Sequence, residues 1–142
     1  MILVDANILI YASSVRSAQH KRALQWFDEQ LNGTGRVGIP WVCSLAFIRI
    51  TTNPRMVPNT LSTMTAWGQV CEWLSCPTVW IPQPTERHAD VLGELLSLSG
   101  MGGNLVTDAH LAALAIEHGL TLCSADTDFA RFRKLKWVNP LG

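Results

Sequence analysis

The sequence predicts a three-layer α/β/α domain with a mainly parallel central sheet, and three observations support this fold class. Short runs rich in β-branched residues alternate with segments of helical apolar spacing, which are the crossover connections that parallel strands need. The 142 residues contain neither an internal repeat nor a linker, so we expect one domain spanning 1–142. Hydrophobic residues make up 48% and charged residues 15%, which excludes a disordered chain and indicates a large core.

The first half of the chain is predicted to alternate strands with helices. The run ILV at 2–4 forms the first strand, and apolar residues that share one helical face predict a helix at 18–31. The run RVGIPW at 36–41 indicates a second strand. The segment SLAFIRITT at 44–52 is typical of a brief helix, which the turn signal at Asn53 and the following proline closes.

The second half continues the same alternation. A helix is expected from residue 60, because apolar residues follow there at intervals of three and four. Thr85 can cap a helix that runs to Leu98, and Asn104 can cap another that ends at Gly119, a residue suited to a left-handed C-terminal position. The remaining strands are predicted at 78–81, 120–124 and 136–138.

Charge and cysteine content limit the possible functions. Lys and Arg total 11, as do Asp and Glu, so binding to a nucleic acid must depend on local features. One basic cluster is most simply the solvated end of a helix; it consists of Arg131, Arg133, Lys134 and Lys136. The four cysteines show no zinc-ligand spacing, and no apolar run reaches the length of a membrane span. The simplest expected location is the cytoplasm, with no membrane contact.

Acidic residues follow two predicted strands at the point where each strand ends. Asp5 comes directly after the first strand, and Asp126 and Asp128 follow the strand at 120–124. Asp108 stands in the first turns of the helix that leads into that same strand. The functional crevice of an open parallel sheet lies outside the carboxyl ends of its strands, so the topology can bring these acids together. Clustered carboxylates imply a cation, and oxygen-only ligands suit Mg²⁺ or Mn²⁺.

Each acid also has a simpler structural explanation. Asp5 could cap a turn or the next helix, Asp108 could be favoured by the helix dipole, and Asp126 could cap the short helix TDFARF. Together these explanations need three coincidences at one crevice. His110 lies about 200° from Asp108 around the helix, so we interpret it as structural. No histidine has a partner at a triad spacing, which disfavours a nucleophilic hydrolase.

Five segments, in this order and spacing, resemble the PIN domain, and specifically the VapC-type ribonuclease toxins of bacterial toxin–antitoxin pairs. They are VDANILIYA at 4–12, FIRITTNPR at 47–55, GNLVTDAHLAALAIEHG at 103–119, TLCSADTDFARF at 121–132 and WVNPL at 137–141. The resemblance runs nearly from end to end of the chain.

The resemblance implies roles for seven residues. The catalytic and metal-binding acids are Asp5, Asp108 and Asp126, with Asp128 as an auxiliary metal-binding acid. Polar support comes from Asn7 and Ser124, and the arginine of the second motif is Arg49. The chain departs from the family at Ala46, where the second motif usually has a glutamate.

By resemblance, the protein is a Mg²⁺- or Mn²⁺-dependent endoribonuclease toxin. Its substrate would be tRNA, rRNA or mRNA, its inhibitor a cognate VapB antitoxin that buries apolar surface of the early helices, and its assembly a homodimer. Because Ala46 replaces the glutamate, the alternative is a catalytically weakened PIN-fold module that binds RNA or protein. A haloacid dehalogenase-type phosphatase would need a second acid where Asn7 stands, and a receiver domain would need an acid after the third strand.

Overall fold

The central sheet has five short, parallel strands in the computed structural model, which describes residues 1–98 and 100–142. The strands are β1 (Ile2–Val4), β2 (Val37–Gly38), β3 (Val79–Trp80), β4 (Thr121–Cys123) and β5 (Trp137–Val138). The helices are α1 (Ala6–Ser13), α2 (His20–Leu31), α3 (Trp41–Thr51), α4 (Thr63–Ser75), α5 (His88–Leu96) and α6 (Leu105–His118). A 3₁₀ helix, Thr127–Arg131, connects β4 with β5.

The order of the strands reverses on either side of β1. The sheet reads β3-β2-β1-β4-β5, so the chain moves outward from β1 to β3 and then returns to the other side of β1. Because crossovers between parallel strands are right-handed, this reversal places the early and late helices on opposite faces. Accordingly, α1 contacts α2 and α3, and α3 contacts α4, whereas α5 packs against α6. The predicted α/β/α fold with a parallel sheet is confirmed.

Helix α1 is absent from the sequence-based prediction. Its residues Ala6, Ile8, Leu9 and Ala12 are buried between the sheet and the neighbouring helices. A helix that is apolar on nearly every side shows no amphipathic periodicity, which is why the pattern does not reveal it. The helix begins because Asp5, in an extended conformation, accepts the N–H of Ala6 at 2.7 Å.

Four predicted helix starts differ from the structure. Helix α2 begins at His20 rather than residue 18, and α4 begins at Thr63 rather than residue 60. Helix α3 begins at Trp41 rather than residue 44, because Pro40 has no N–H for the sheet ladder and ends the strand segment early.

Helix α5 begins at His88 rather than directly after Thr85. The Thr85 hydroxyl accepts the N–H of Arg87, but residues 85–88 form a turn that precedes the helix, and the N–H and hydroxyl of Thr85 donate to Glu117.

Two other predicted helix ends lie where expected. Gly119 ends α6 in the left-handed conformation, with φ 67° and ψ 34°. Asn104 occupies the N-cap position of α6, although its side chain makes no capping hydrogen bond.

The core extends beneath the 3₁₀ helix. Phe129 lies within that helix and Phe132 directly after it, and their side chains are 1% and 2% exposed. These two rings hold the short helix, and with it the chain after β4, against the rest of the core. Within residues 1–98 and 100–142, no helix combines the length and the apolar character needed to cross a bilayer.

Gly38 allows close packing of β2, so we expect Gly38→Ala to destabilise the fold by about 1–3 kcal/mol. A Cβ at this position would lie 2.7 Å from Cγ of Pro82 and 3.2 Å from the carbonyl oxygen of Ile2. The matched control is Gly35→Ala, whose Cβ would have no atom within 4 Å among the described residues. Thermal denaturation should show a midpoint lowered by several degrees for Gly38→Ala only. Equal midpoints for the two variants would contradict this packing argument.

Candidate metal centre

The candidate site lies where the strand order reverses, between β1 and β4. Val4 is paired with Cys123 in the parallel register, and the N–H of Asp5 continues the ladder by donating to the carbonyl of Cys123 at 3.0 Å. The two chain segments that follow these strands therefore leave the sheet side by side. A reversal of this kind opens a crevice at the carboxyl ends of the strands.

Asp5 is held in one orientation by three donors. Its Oδ1 accepts the N–H of Ala6 at 2.7 Å, and its Oδ2 accepts the hydroxyl of Ser124 at 2.7 Å and the amide of Asn7 at 3.4 Å. Burial raises the pKa of Asp5, as does the charge of Asp126, while the hydrogen bonds oppose this shift. Asp5 thus caps α1 and also lies near the other acids at the carboxyl ends of the strands, so the two interpretations of this residue are compatible.

Ser124 connects the ends of both strands through one buried hydroxyl. Besides donating to Asp5, its Oγ accepts the amide of Asn7 at 3.0 Å and the N–H of Asp126 at 3.0 Å. The side chain of Asn7 also accepts the N–H of Ala125 at 3.3 Å. Asn7 and Ser124 therefore lie directly behind the acids, where polar support is expected, although their functional role stays a prediction.

Three acids form a cluster at the mouth of this crevice. Asp108, Asp126 and Asp128 each present an oxygen, and these oxygens lie within 4.8 Å of one another. Asp126 caps the 3₁₀ helix by accepting the N–H of Asp128 at 2.9 Å, which brings both residues to one side of that helix. Asp108 comes from the first turn of α6. We call Asp108, Asp126 and Asp128 the acidic cluster.

Asp5 lies beside the acidic cluster, but it is not among the acids whose oxygens lie within 4.8 Å of one another. The pKa of Asp108 is raised to about 6, first by burial and then by the charges of Asp126, Asp5 and Asp128, and Arg131 opposes this shift. The charge of Asp5 thus reaches both Asp108 and Asp126. A divalent cation would relieve this repulsion, and a set of carboxylate oxygens suits Mg²⁺ or Mn²⁺.

Arg49 makes no contact with the acids of this site among the described residues. Arg49 is exposed in the last turn of α3, and its side chain makes no hydrogen bond or ion pair with the described residues. Ala46, one turn earlier, is half-buried against the core. Helix α3 approaches the site through Cys43, whose thiol pKa is raised by burial and by the charge of Asp5.

His110 belongs to a separate network. Its Nδ1 lies 3.0 Å from Nε2 of His88, whose other ring nitrogen pairs with the carboxylate of Glu117. Burial and the neighbouring His88 lower the pKa of His110. This arrangement agrees with the structural interpretation of His110.

Sequence reasoning missed two residues that contact the site. The indole N–H of Trp137 donates to the carbonyl of Ser124 at 3.0 Å, which fixes the chain after β4. Arg131 contacts Asp128, with 3.6 Å between Nη2 and Oδ1. The spacing of three between Asp128 and Arg131 on a short helix is the signal that could have identified the second residue.

A family profile and curated proteins match nearly the whole chain. The profile of the PIN domain matches residues 2–135. The chain is 46% identical over 140 residues to Ribonuclease VapC37 of Mycobacterium tuberculosis, which covers 99% of this chain and 97% of that protein. It is 41% identical over 141 residues to Ribonuclease VapC33 of the same species, which covers 99% of each.

Solved structures share the fold at low sequence identity. VapBC2 from Rickettsia felis, bound to a DNA fragment from its promoter, superposes with a TM-score of 0.69 at 19% identity, over 98% of each chain. VapC20 of Mycobacterium tuberculosis, a toxin that cleaves the sarcin–ricin loop, superposes with a TM-score of 0.69 at 16% identity, over 92% of this chain and 94% of that one. At these identities the likeness concerns the fold alone.

Removing the hydroxyl of Ser124 should destabilise the protein by about 2 kcal/mol, because buried partners on both strand ends lose a hydrogen bond. Urea denaturation of Ser124→Ala measures this loss. Ser13→Ala is the matched control, since the Ser13 hydroxyl donates only to the carbonyl of Ile10 among the described residues. A Ser124→Ala variant as stable as the control would show that the hydroxyl does not join the strand ends.

Without a metal ion, Asp108→Asn should stabilise the protein at neutral pH. The pKa of Asp108 is about 6 in the fold against an ordinary value of 3.8, so the folded state binds more protons between these values. Stability therefore falls as the pH rises from about 4 to about 6, and the amide variant avoids this loss. The shift corresponds to about 3 kcal/mol unscreened, and we expect about 1 kcal/mol because Asp108 is half-exposed.

Denaturation in EDTA at pH 4 and at pH 7.5, about one and a half units above the pKa of Asp108, measures this difference. The gain of Asp108→Asn should appear at the higher pH and disappear at the lower one. Asp28→Asn, which replaces an exposed carboxylate of α2 outside the acidic cluster, is the control. An equal effect of Asp108→Asn at both pH values would contradict the electrostatic explanation.

Proposed function

Because this chain belongs to the PIN-domain family and is a VapC-type member of it, we propose that it is a metal-dependent endoribonuclease toxin controlled by a VapB-type antitoxin. The observation that carries the proposal is the acidic cluster beside Asp5, at the reversal of strand order. The high identity to proteins named ribonucleases, over nearly the full length of both chains, supports RNA as the substrate class.

The residues fit a divalent cation. Asp108, Asp126 and Asp128 would hold Mg²⁺, or alternatively Mn²⁺, with Asp5 as the adjoining acid, because all four offer only oxygen atoms. When bound, such an ion supplies positive charge to phosphate oxygens and makes a bound water more acidic. Ser124 and Asn7 keep the carboxylate of Asp5 directed at this position through their hydrogen bonds.

Hydrolysis of a phosphodiester adds one water molecule across a P–O bond. The water oxygen bonds to phosphorus, and the ribose oxygen leaves with the electron pair of the broken bond and takes up a proton. In this proposal the carboxylate of Asp5, which adjoins the oxygens that would hold the cation, accepts the proton that the water loses.

One observation favours a second candidate function. Ala46 stands where the resemblance places a glutamate, so the site has one carboxylate fewer than the family pattern implies, and Arg49 makes no described contact with the acids. A PIN-fold module that binds RNA or protein without cutting would explain this departure. The remaining cluster of acids favours catalysis, because a binding surface for a polyanion has no need of adjacent carboxylates.

The surface of α3 and α4 suits the proposed protein partners. Trp41 and Trp67 stack at 6.3 Å between ring centroids, and both remain more than a third exposed. Leu45 and Met64, on the same two helices, are 58% and 71% exposed. Exposed apolar side chains of this kind support an antitoxin that covers the early helices, and a homodimer. The similar complexes of known structure contain VapB-type partners, which adds support for the antitoxin.

Purified protein free of antitoxin should cut total bacterial RNA into discrete fragments with Mg²⁺ or Mn²⁺, and EDTA should stop the cutting. Asp5→Asn and Asp126→Asn should each lower the rate by about 100-fold or more, because charge stabilisation at the phosphate is lost. Asp28→Asn is the matched control and should cut like the wild type.

A wild-type protein that is folded and binds RNA, but does not cut it with either metal ion, would favour the binding module. Cutting that persists in EDTA, or in both acid variants, would contradict the metal-dependent mechanism. Circular dichroism of each variant separates these outcomes from loss of folding.

A further inference from the structure

The basic residues near the C-terminus do not form one surface. Lys134 pairs with Glu94 of α5 at 2.8 Å, and the carbonyl of Lys136, directly before β5, accepts the N–H of Leu122. The side chain of Arg133 is exposed and makes no hydrogen bond or ion pair within the described part of the chain. Of these residues, Arg131 is the one that contacts an acid of the cluster.

Arg131 is anchored beside the acidic cluster by its own helix. It stands at the end of the 3₁₀ helix, and its Nε–H donates to the carbonyl of Asp128 at 3.1 Å. Its Nη2 lies 3.6 Å from Oδ1 of Asp128, which is an ion pair but longer than a hydrogen bond. One N–H therefore fixes the position of the guanidinium, while its outer edge makes no short hydrogen bond to the described residues.

The outer edge of this guanidinium is accessible. The side chain of Arg131 is 33% exposed, and that of Asp128 is 52% exposed. The charge of Arg131 also acts on Asp108, across the cluster from Asp128, where it opposes the effect of the neighbouring acids. Arg131 therefore places a positive charge at the rim of the site, in contact with Asp128 and acting on Asp108.

A phosphodiester that approaches this rim meets carboxylates that repel it. A bound divalent cation offsets part of their charge, and a guanidinium offsets more on the side of Asp128. The planar fork of an arginine matches two oxygens of a phosphate, and such charge-assisted hydrogen bonds are about twice as strong as neutral ones. The loose ion pair to Asp128 can be exchanged for these stronger contacts at little cost.

We propose that Arg131 binds the phosphate that is cleaved, through hydrogen bonds from its guanidinium to the non-bridging oxygens of the RNA phosphodiester at the acidic cluster. This inference rests on the proposed ribonuclease function. Arg131 is then a phosphate-binding residue of the reaction, and the neighbouring Arg133, Lys134 and Lys136 are not.

The test compares Arg131→Ala and Arg131→Lys with the matched control Arg133→Ala. Cutting of total bacterial RNA with Mg²⁺ should be slowed about 10- to 100-fold in Arg131→Ala, less in Arg131→Lys, and by no more than about twofold in Arg133→Ala. Calorimetric titration with Mn²⁺ gives a second readout. The Mn²⁺ affinity of Arg131→Ala should be unchanged or higher, because a positive charge beside the carboxylates has been removed.

Each contrary result has its own meaning. Equal cutting by Arg131→Ala and Arg133→Ala would overturn the inference and leave the ribonuclease function standing. A parallel loss of cutting and of Mn²⁺ affinity in Arg131→Ala would overturn it by showing that Arg131 supports the fold of the cluster. A wild-type protein that binds Mn²⁺ and cuts no RNA would overturn the proposed function, and this inference with it.

Discussion

The pairing of β1 with β4 is the constraint on which the site depends. These strands lie next to each other where the strand order reverses, and their register sets Val4 against Cys123. Asp5 directly follows β1 and Ser124 directly follows β4, so the two side chains lie next to each other. A shift by one residue would turn the side chains of a strand to the opposite face. The register that buries Leu3 and Val4 is therefore also the register that directs Asp5 to the crevice.

The site is an electrostatic compromise within a well-packed fold. Burial and mutual repulsion act against the charged forms of Asp5 and Asp108, and local hydrogen bonds from Ser124, Asn7 and the backbone hold the chain in place nevertheless. Phe129 and Phe132 supply the apolar contacts that keep the 3₁₀ helix, with Asp126 at its N-cap, against the core. Functional sites commonly retain such locally unfavourable arrangements because the surrounding structure stabilises them.

Sequence patterns predicted the fold class and the acids that follow the strands, because the carboxyl ends of parallel strands all lie at one edge of the sheet. They did not predict α1, since a helix buried on nearly every side has no polar face to reveal it. They also misplaced the start of α5: the Thr85 hydroxyl accepts the N–H of Arg87 as a capping residue does, but residues 85–88 form a turn before the helix begins. The contact between Arg131 and Asp128 is local in sequence. The sequence did not reveal it, because Arg131 stands among other basic residues that were interpreted together as a solvated helix end.

The network of His88, His110 and Glu117 restricts the rotation of α6, the helix that carries Asp108. His110 and Glu117 are seven residues apart, so both lie on one side of α6, roughly opposite Asp108. Their contacts with His88 and Thr85 tie that side of the helix to α5 and the segment before it. These contacts along one side prevent α6 from rotating about its own axis. The rotational setting of α6, and hence the side of the helix from which Asp108 extends, is thus fixed by residues on the opposite side of the helix.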